Sequence, residues 1–97
     1  MEISEVLKKL DLPNTGRYEN QFYILPIEDS NEYAKIYTKL DEKAVNTEFP
    51  NFSARTDNTV TKVTNYFELT AEDGTFLLFL IGNLDEDTYY LKITEKK

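Results

Sequence analysis

Residues Ile27 to Lys43 read IEDSNEYAKIYTKLDEK, and the fold turns on whether this stretch is an amphipathic helix or the second arm of a β-hairpin. As a helix, Tyr33, Ile36, Tyr37, Leu40 and Ala44 recur at three- and four-residue intervals and form one apolar stripe over three turns. Asp29 stands where an N-cap belongs, with Glu32 three residues on, the spacing of a capping box, and Ser30 is a second candidate cap. Lys39 and Lys43 fall toward the C-terminal end, where the helix dipole favours cations. As a strand, Ala34, Ile36, Thr38 and Leu40 would point inward, with Glu28 to Asn31 as a four-residue turn. That alternative buries Ala and Thr and leaves both tyrosines outside. The helix accounts for more residues.

Upstream, Ile3, Val6, Leu7 and Leu10 make the stripe of a shorter helix that Pro13 ends. Asn14-Thr15-Gly16 reads as a turn, and residues 20 to 27 (NQFYILPI) read as a strand whose Pro26 lacks a donor and so marks an edge or exit. Residues 44–59 carry no clear period. Phe49 and Phe52 flank Pro50 and suggest an irregular edge segment anchored by its rings, with Asp57-Asn58 as a turn. Beyond it the chain alternates plainly. Val63, Phe67 and Leu69 oppose Lys62, Thr64 and Glu68, and Tyr89, Leu91 and Ile93 oppose Tyr90, Lys92 and Thr94. Gly74 is expected at positive φ in a hairpin turn. Residues 60 to 94 are therefore an antiparallel meander. The whole is expected to be one α+β domain over residues 1–97: two short helices packed on an antiparallel sheet with a C-terminal three-stranded meander.

The middle strand, FLLFLI at Phe76 to Ile81, breaks the usual rule. A sheet with one wet face alternates apolar and polar residues, whereas this strand is apolar on both sides. Two helices cover one face. The other calls for the segment around Phe49 and Phe52, another protein, or, as the favoured reading, a sheet curled over a second core of its own.

Composition narrows the chemistry. Eighteen carboxylates against eleven Lys and Arg leave a net charge of −7, with no His and no Cys. Such a field repels nucleic acid, whose binding rests on Lys and Arg displacing counterions, and attracts basic protein surfaces. Without His or Cys there is no Ser-His or Cys-His catalysis, no disulfide and little prospect of zinc. The three glycines stand apart at positions 16, 74 and 82, so no phosphate loop exists. Asn83, Asp85 and Asp87 imitate the start of a calcium loop, but Thr88 and Thr94 occupy the positions that need Gly and Glu. No metal, cofactor or catalytic residue is assigned. The first residues lack the apolar run of a signal peptide, and no segment is long enough for a membrane span, so the cytoplasm is the expected location.

What remains is surface. Carboxylates gather at Glu28, Asp29 and Glu32, at Asp41 and Glu42, at Glu72 and Asp73, and at Asp85, Glu86 and Asp87. Glu28, Asp29, Glu32, Asp41, Glu42, Asp85, Glu86 and Asp87 are the candidate partner-binding residues. The expected function is non-catalytic: an acidic inhibitor that mimics nucleic acid and blocks the basic groove of a host nucleic-acid enzyme, as monomer or homodimer. The Asn, Lys, Ile and Tyr usage suits a phage or mobile-element origin. The alternatives are a structural domain that homo-oligomerises and an immunity protein against a basic nuclease toxin. In its order of elements, and in Ile24-Leu25-Pro26 leading to the acidic Glu28-Asp29, the chain resembles the phage uracil-DNA glycosylase inhibitors. Anti-CRISPR proteins share its size and acidity. The resemblance implies an enzyme inhibitor and assigns no residue.

Overall fold

The computed structural model describes residues 2–46, 51–71 and 73–96. Along the chain come α1 (Ile3–Lys9), β1 (Arg17–Glu19), β2 (Phe22–Ile27), α2 (Ser30–Asn46), β3 (Asn51–Asn58), β4 (Lys62–Ala71), β5 (Gly74–Asn83) and β6 (Thr88–Lys96). The deciding stretch is a helix. Asp29 caps it, its Oδ1 accepting the Glu32 N–H at 2.9 Å, and Glu32 reaches back so that Oε2 accepts the Glu28 N–H at 3.2 Å. Two backbone donors at the helix start are thereby satisfied.

The six strands form one antiparallel sheet in the order β1-β2-β6-β5-β4-β3. On one face the registers align Tyr23, Leu25 and Ile27 with Ile93, Leu91 and Tyr89, and these with Leu78, Leu80 and Gly82; Leu78 and Leu80 align in turn with Phe67 and Asn65, and Phe76 with Leu69. Val6, Leu7 and Leu10 of α1 and Ile36 and Leu40 of α2 close over this face, and together they are the core. The stripe read from the sequence supplies that packing, although Tyr37 stays partly exposed while its ring leans on Phe67, centroids 6.1 Å apart.

Helix α1 ends in a Schellman turn: the Asp11 N–H bonds the Lys8 carbonyl at 3.2 Å and the Leu12 N–H bonds the Leu7 carbonyl at 2.8 Å. The turn needs a left-handed residue, and Asp11 adopts φ 57° there. Asp11→Gly should therefore raise stability by about 0.5–1 kcal/mol, net of the exposed Lys39–Asp11 ion pair at 3.6 Å. A urea titration reads this directly, and a lower midpoint would contradict it.

Several expectations need correction. Residue 20 is not strand: Asn20, at φ 58°, and Gln21 make a hairpin turn between β2 and the short β1, which the sequence reading missed. Pro26 does mark an exit, because β1 pairs only as far as Ile24. Residues 51–58 are a regular edge strand, paired from Asn51↔Thr70 to Asn58↔Val63. Asp57 and Asn58 therefore belong to β3, and the chain reverses after them. The rings of Phe49 and Phe52 lie outside the described residues. Gly74 opens β5 opposite Ala71, and its φ is not positive. Strand β3 widens the sheet instead of folding over it, so no described segment forms the expected second core. Among the described residues of that second face, Ile81 and Thr64 are buried, and Phe22, Ile24, Leu77, Phe79, Tyr66 and Tyr90 are half-exposed. Among the described residues no helix is long and apolar enough to cross a membrane.

Candidate functional site

Antiparallel pairing decides which acids meet. The register Ile27↔Tyr89 brings the exit of β2 beside the start of β6. Glu28, Asp29 and Glu32, at the β2–α2 junction, therefore share one end of the sheet with Asp85, Glu86 and Asp87, in the β5–β6 turn. The β3–β4 turn reaches the same end, where the Leu84 N–H donates to the Thr61 carbonyl at 2.8 Å.

Tyr89, paired with Ile27 and two residues after Asp87, stands between the two acidic segments. The Tyr89 ring is buried, tilted against Tyr33 at 5.7 Å and packed over Gly82, where an added Cβ would come within 3.1 Å of it. The neighbouring Asp87 carboxylate is the main cause that lifts the phenol above its ordinary value of 10.0. Burial and the negative charges of Asp87 and Asp29 add to the lift, and Ser30 opposes it. Asp87 itself turns the chain at φ 52°. Glu86 accepts a long bond from Asn83 Nδ2 at 3.5 Å, and its carbonyl accepts the Thr88 hydroxyl at 3.2 Å.

Tyr33, in the first turn of α2, is raised too, first by burial, against the lowering effect of its bond from Asn65, with the Tyr37 phenol also raising it. A phenol whose folded pKa is raised keeps its proton longer in the folded chain than in the unfolded one. The associated stability is complete below pH 10 and is lost as pH climbs through the raised folded values. Urea midpoints should hold between pH 7 and about 9.5 and fall above about 10, and Tyr89→Phe should flatten that fall. An identical alkaline slope in the variant would overturn the assignment to Tyr89.

Six of the eight residues expected to bind a partner are thus assembled at one end. Asp41 and Glu42 are not. They lie twelve and thirteen residues beyond Asp29, about 18 Å down the helix axis. Sequence reasoning also missed two residues of the acidic end. Val60 is 95% exposed at the tip of the β3–β4 turn and Leu84 is 50% exposed beside it. Neither falls on a periodic face, so only the turn geometry reveals them. Asp57, near the end of β3, adds a further carboxylate here, while Lys62 opens β4 and Lys35 lies one turn into α2. Among the described residues no group of three acids converges to hold a metal ion. The end therefore offers a negative field around two exposed apolar tips, Val60 and Leu84. No protein-family model, curated protein or solved structure matches the chain.

Proposed function

We propose that this is a non-catalytic acidic binding domain that works in the cytoplasm and uses the β2–α2 and β5–β6 end to occupy the basic groove of a nucleic-acid enzyme. The observation that carries this reading is the meeting of Glu28, Asp29 and Glu32 with Asp85, Glu86 and Asp87 at one end of the sheet, which the Ile27↔Tyr89 and Asn83↔Thr88 pairings bring about. Carboxylates held on a sheet end stand in for phosphates and steer association with a positive groove. Val60 and Leu84 supply the apolar contact that phosphates lack, which favours a protein partner over simple charge screening. In this reading the domain is an inhibitor of phage or mobile-element type, and its mimicry of nucleic acid is a property of that one end.

The test compares the immobilised chain with two charge-reversed forms. One is Glu28→Lys with Asp85→Lys and Glu86→Lys, which spares the capping residues. The other is Asp41→Lys with Glu42→Lys. A panel of purified nucleases, an RNA-guided nuclease and a uracil-removing glycosylase is offered at low salt. The expected result is binding and inhibition of a panel member, competed by DNA and weakened at least about tenfold by the first reversal. The second reversal should leave it nearly unchanged. Equal capture by all three forms, or no inhibition of any panel member, overturns the reading.

A further inference from the structure

We propose that the uncovered face of the sheet is a homodimer interface on which a second copy of this chain packs, related by a two-fold axis along β5. The face comes from residues already placed. Across the middle of the sheet the register runs Tyr66↔Phe79↔Lys92↔Ile24, and the next row runs Glu68↔Leu77↔Thr94. Ile81 and Tyr90 continue the surface toward the acidic end. The Tyr66 and Phe79 rings pack edge to face at 5.4 Å, and the Lys92 ammonium sits 4.5 Å from the centre of the Phe22 ring. These side chains half-cover one another, with Lys92 beside Phe79 and the Lys96–Glu68 ion pair spanning β5 near Leu77.

The arrangement of that charge selects a second copy as the occupant. Lys92 and Lys96 lie on β6, to one side of β5, and Glu68 lies on β4, to the other. Along the strand, Glu68 is level with Leu77, Lys92 with Phe79 and Lys96 with Thr75. Rotation by 180° about β5 exchanges the two flanks while keeping the level along the strand. It therefore sets Glu68 of each copy between Lys92 and Lys96 of the other, over matched Phe79 and Leu77 side chains. A surface that complements itself in this way closes as a dimer and presents no further site for growth. Two sheets stacked face to face, crossed by roughly 30°, form an ordinary sandwich core. Within one copy Lys96 already bonds Glu68 at 3.1 Å, and Lys92 is the partner gained across the interface.

The same rotation keeps both acidic ends at one pole. Their repulsion weakens as salt screens it, so dimerisation should strengthen with salt, whereas capture of a basic partner by the acidic end should weaken. The two readings can therefore fail separately.

Sedimentation equilibrium of the full chain from about 1 to 200 µM tests the proposal. The expected result is a species of twice 11.3 kDa that persists in high salt. Phe79→Lys, at the centre of the face, should leave a monomer, with circular dichroism confirming that it folds. Lys92→Glu and Glu68→Lys should each raise the dissociation constant at least about tenfold, and the double exchange should restore it to within about threefold. Restoration cannot come from the Lys96–Glu68 contact inside one copy, which the exchange leaves broken. A monomer at every concentration, a dimer that survives Phe79→Lys, or a double exchange no tighter than the singles would overturn the proposal.

Discussion

Gly16→Ala should destabilise the chain by about 3 kcal/mol or more, lowering Tm by roughly 12–24 °C for a domain of this size. Gly16 stands just before β1, against β2. A Cβ placed there would sit 2.2 Å from the Ile24 carbonyl oxygen and 2.8 Å from Tyr23 Cζ. The first of these is backbone and cannot swing aside. The Gly16 N–H also donates to the Tyr23 hydroxyl at 2.9 Å, and that hydroxyl donates onward to the Pro13 carbonyl at 3.1 Å. Any shift that relieves the clash stretches this pair of bonds around a tyrosine that is fully buried. The unfolded chain argues the other way, because losing a glycine there stabilises by about 0.4–1 kcal/mol. The sign of the measured change therefore tests the close approach directly, by thermal melt or urea titration. A stability equal to or above that of the native chain would mean that β1 does not lie against β2 as described.

Gly16 also illustrates how far the sequence could be read. Its neighbourhood was legible as a turn, but the need for a missing Cβ arises from β2 folding back on β1, a pairing that Arg17-Tyr18-Glu19 does not announce. Three residues carry no period, and all three side chains are exposed. Strand β3 stayed illegible for a related reason: an edge strand needs little apolar content, and NFSARTDN holds only two apolar residues, too few to set a period. Where burial imposes a period, reading succeeded. Helix α2 followed from its stripe and its cap, and the meander from Val63 to Ile93 followed from alternation.

The acidic site divides along the same line. Asp41 and Glu42 were expected to share a partner with Asp29 from the other end of the same helix, but a helix carries residues away at 1.5 Å each. Nearness in space came from the β2–β6 register, which joins Ile27 to a residue sixty-two positions away. Side-chain charge could be counted beforehand. Its assembly at one end depends on which strands pair, and no local pattern encodes that.

Tyr33→Phe should cost about 2 kcal/mol, and adding Asn65→Leu to it should cost little more or even recover part of the loss. The reason lies in a part-buried relay between α2 and the sheet. The Thr56 hydroxyl donates to Asn65 Oδ1 at 2.7 Å, Asn65 Nδ2 donates to the Tyr33 hydroxyl at 2.7 Å, and that hydroxyl donates to the Leu80 carbonyl at 3.1 Å. Asn65 is only 6% exposed, so its amide has no ready access to water. Removing the Tyr33 hydroxyl strands that amide donor in an apolar setting, and the full desolvation penalty appears. Removing both partners leaves apolar groups in contact, while Thr56, which is exposed, can turn its hydroxyl to solvent. A double-mutant cycle in urea should therefore show the two substitutions coupled by about 1 kcal/mol or more, the pair costing less than the sum of the singles. Simple addition would mean that Asn65 and Tyr33 do not share this bond in solution. The relay ties α2 to β4 and β5 beside Tyr89, so a coupled result also means that one connected set of bonds positions the helix whose cap, Asp29, contributes to the acidic end.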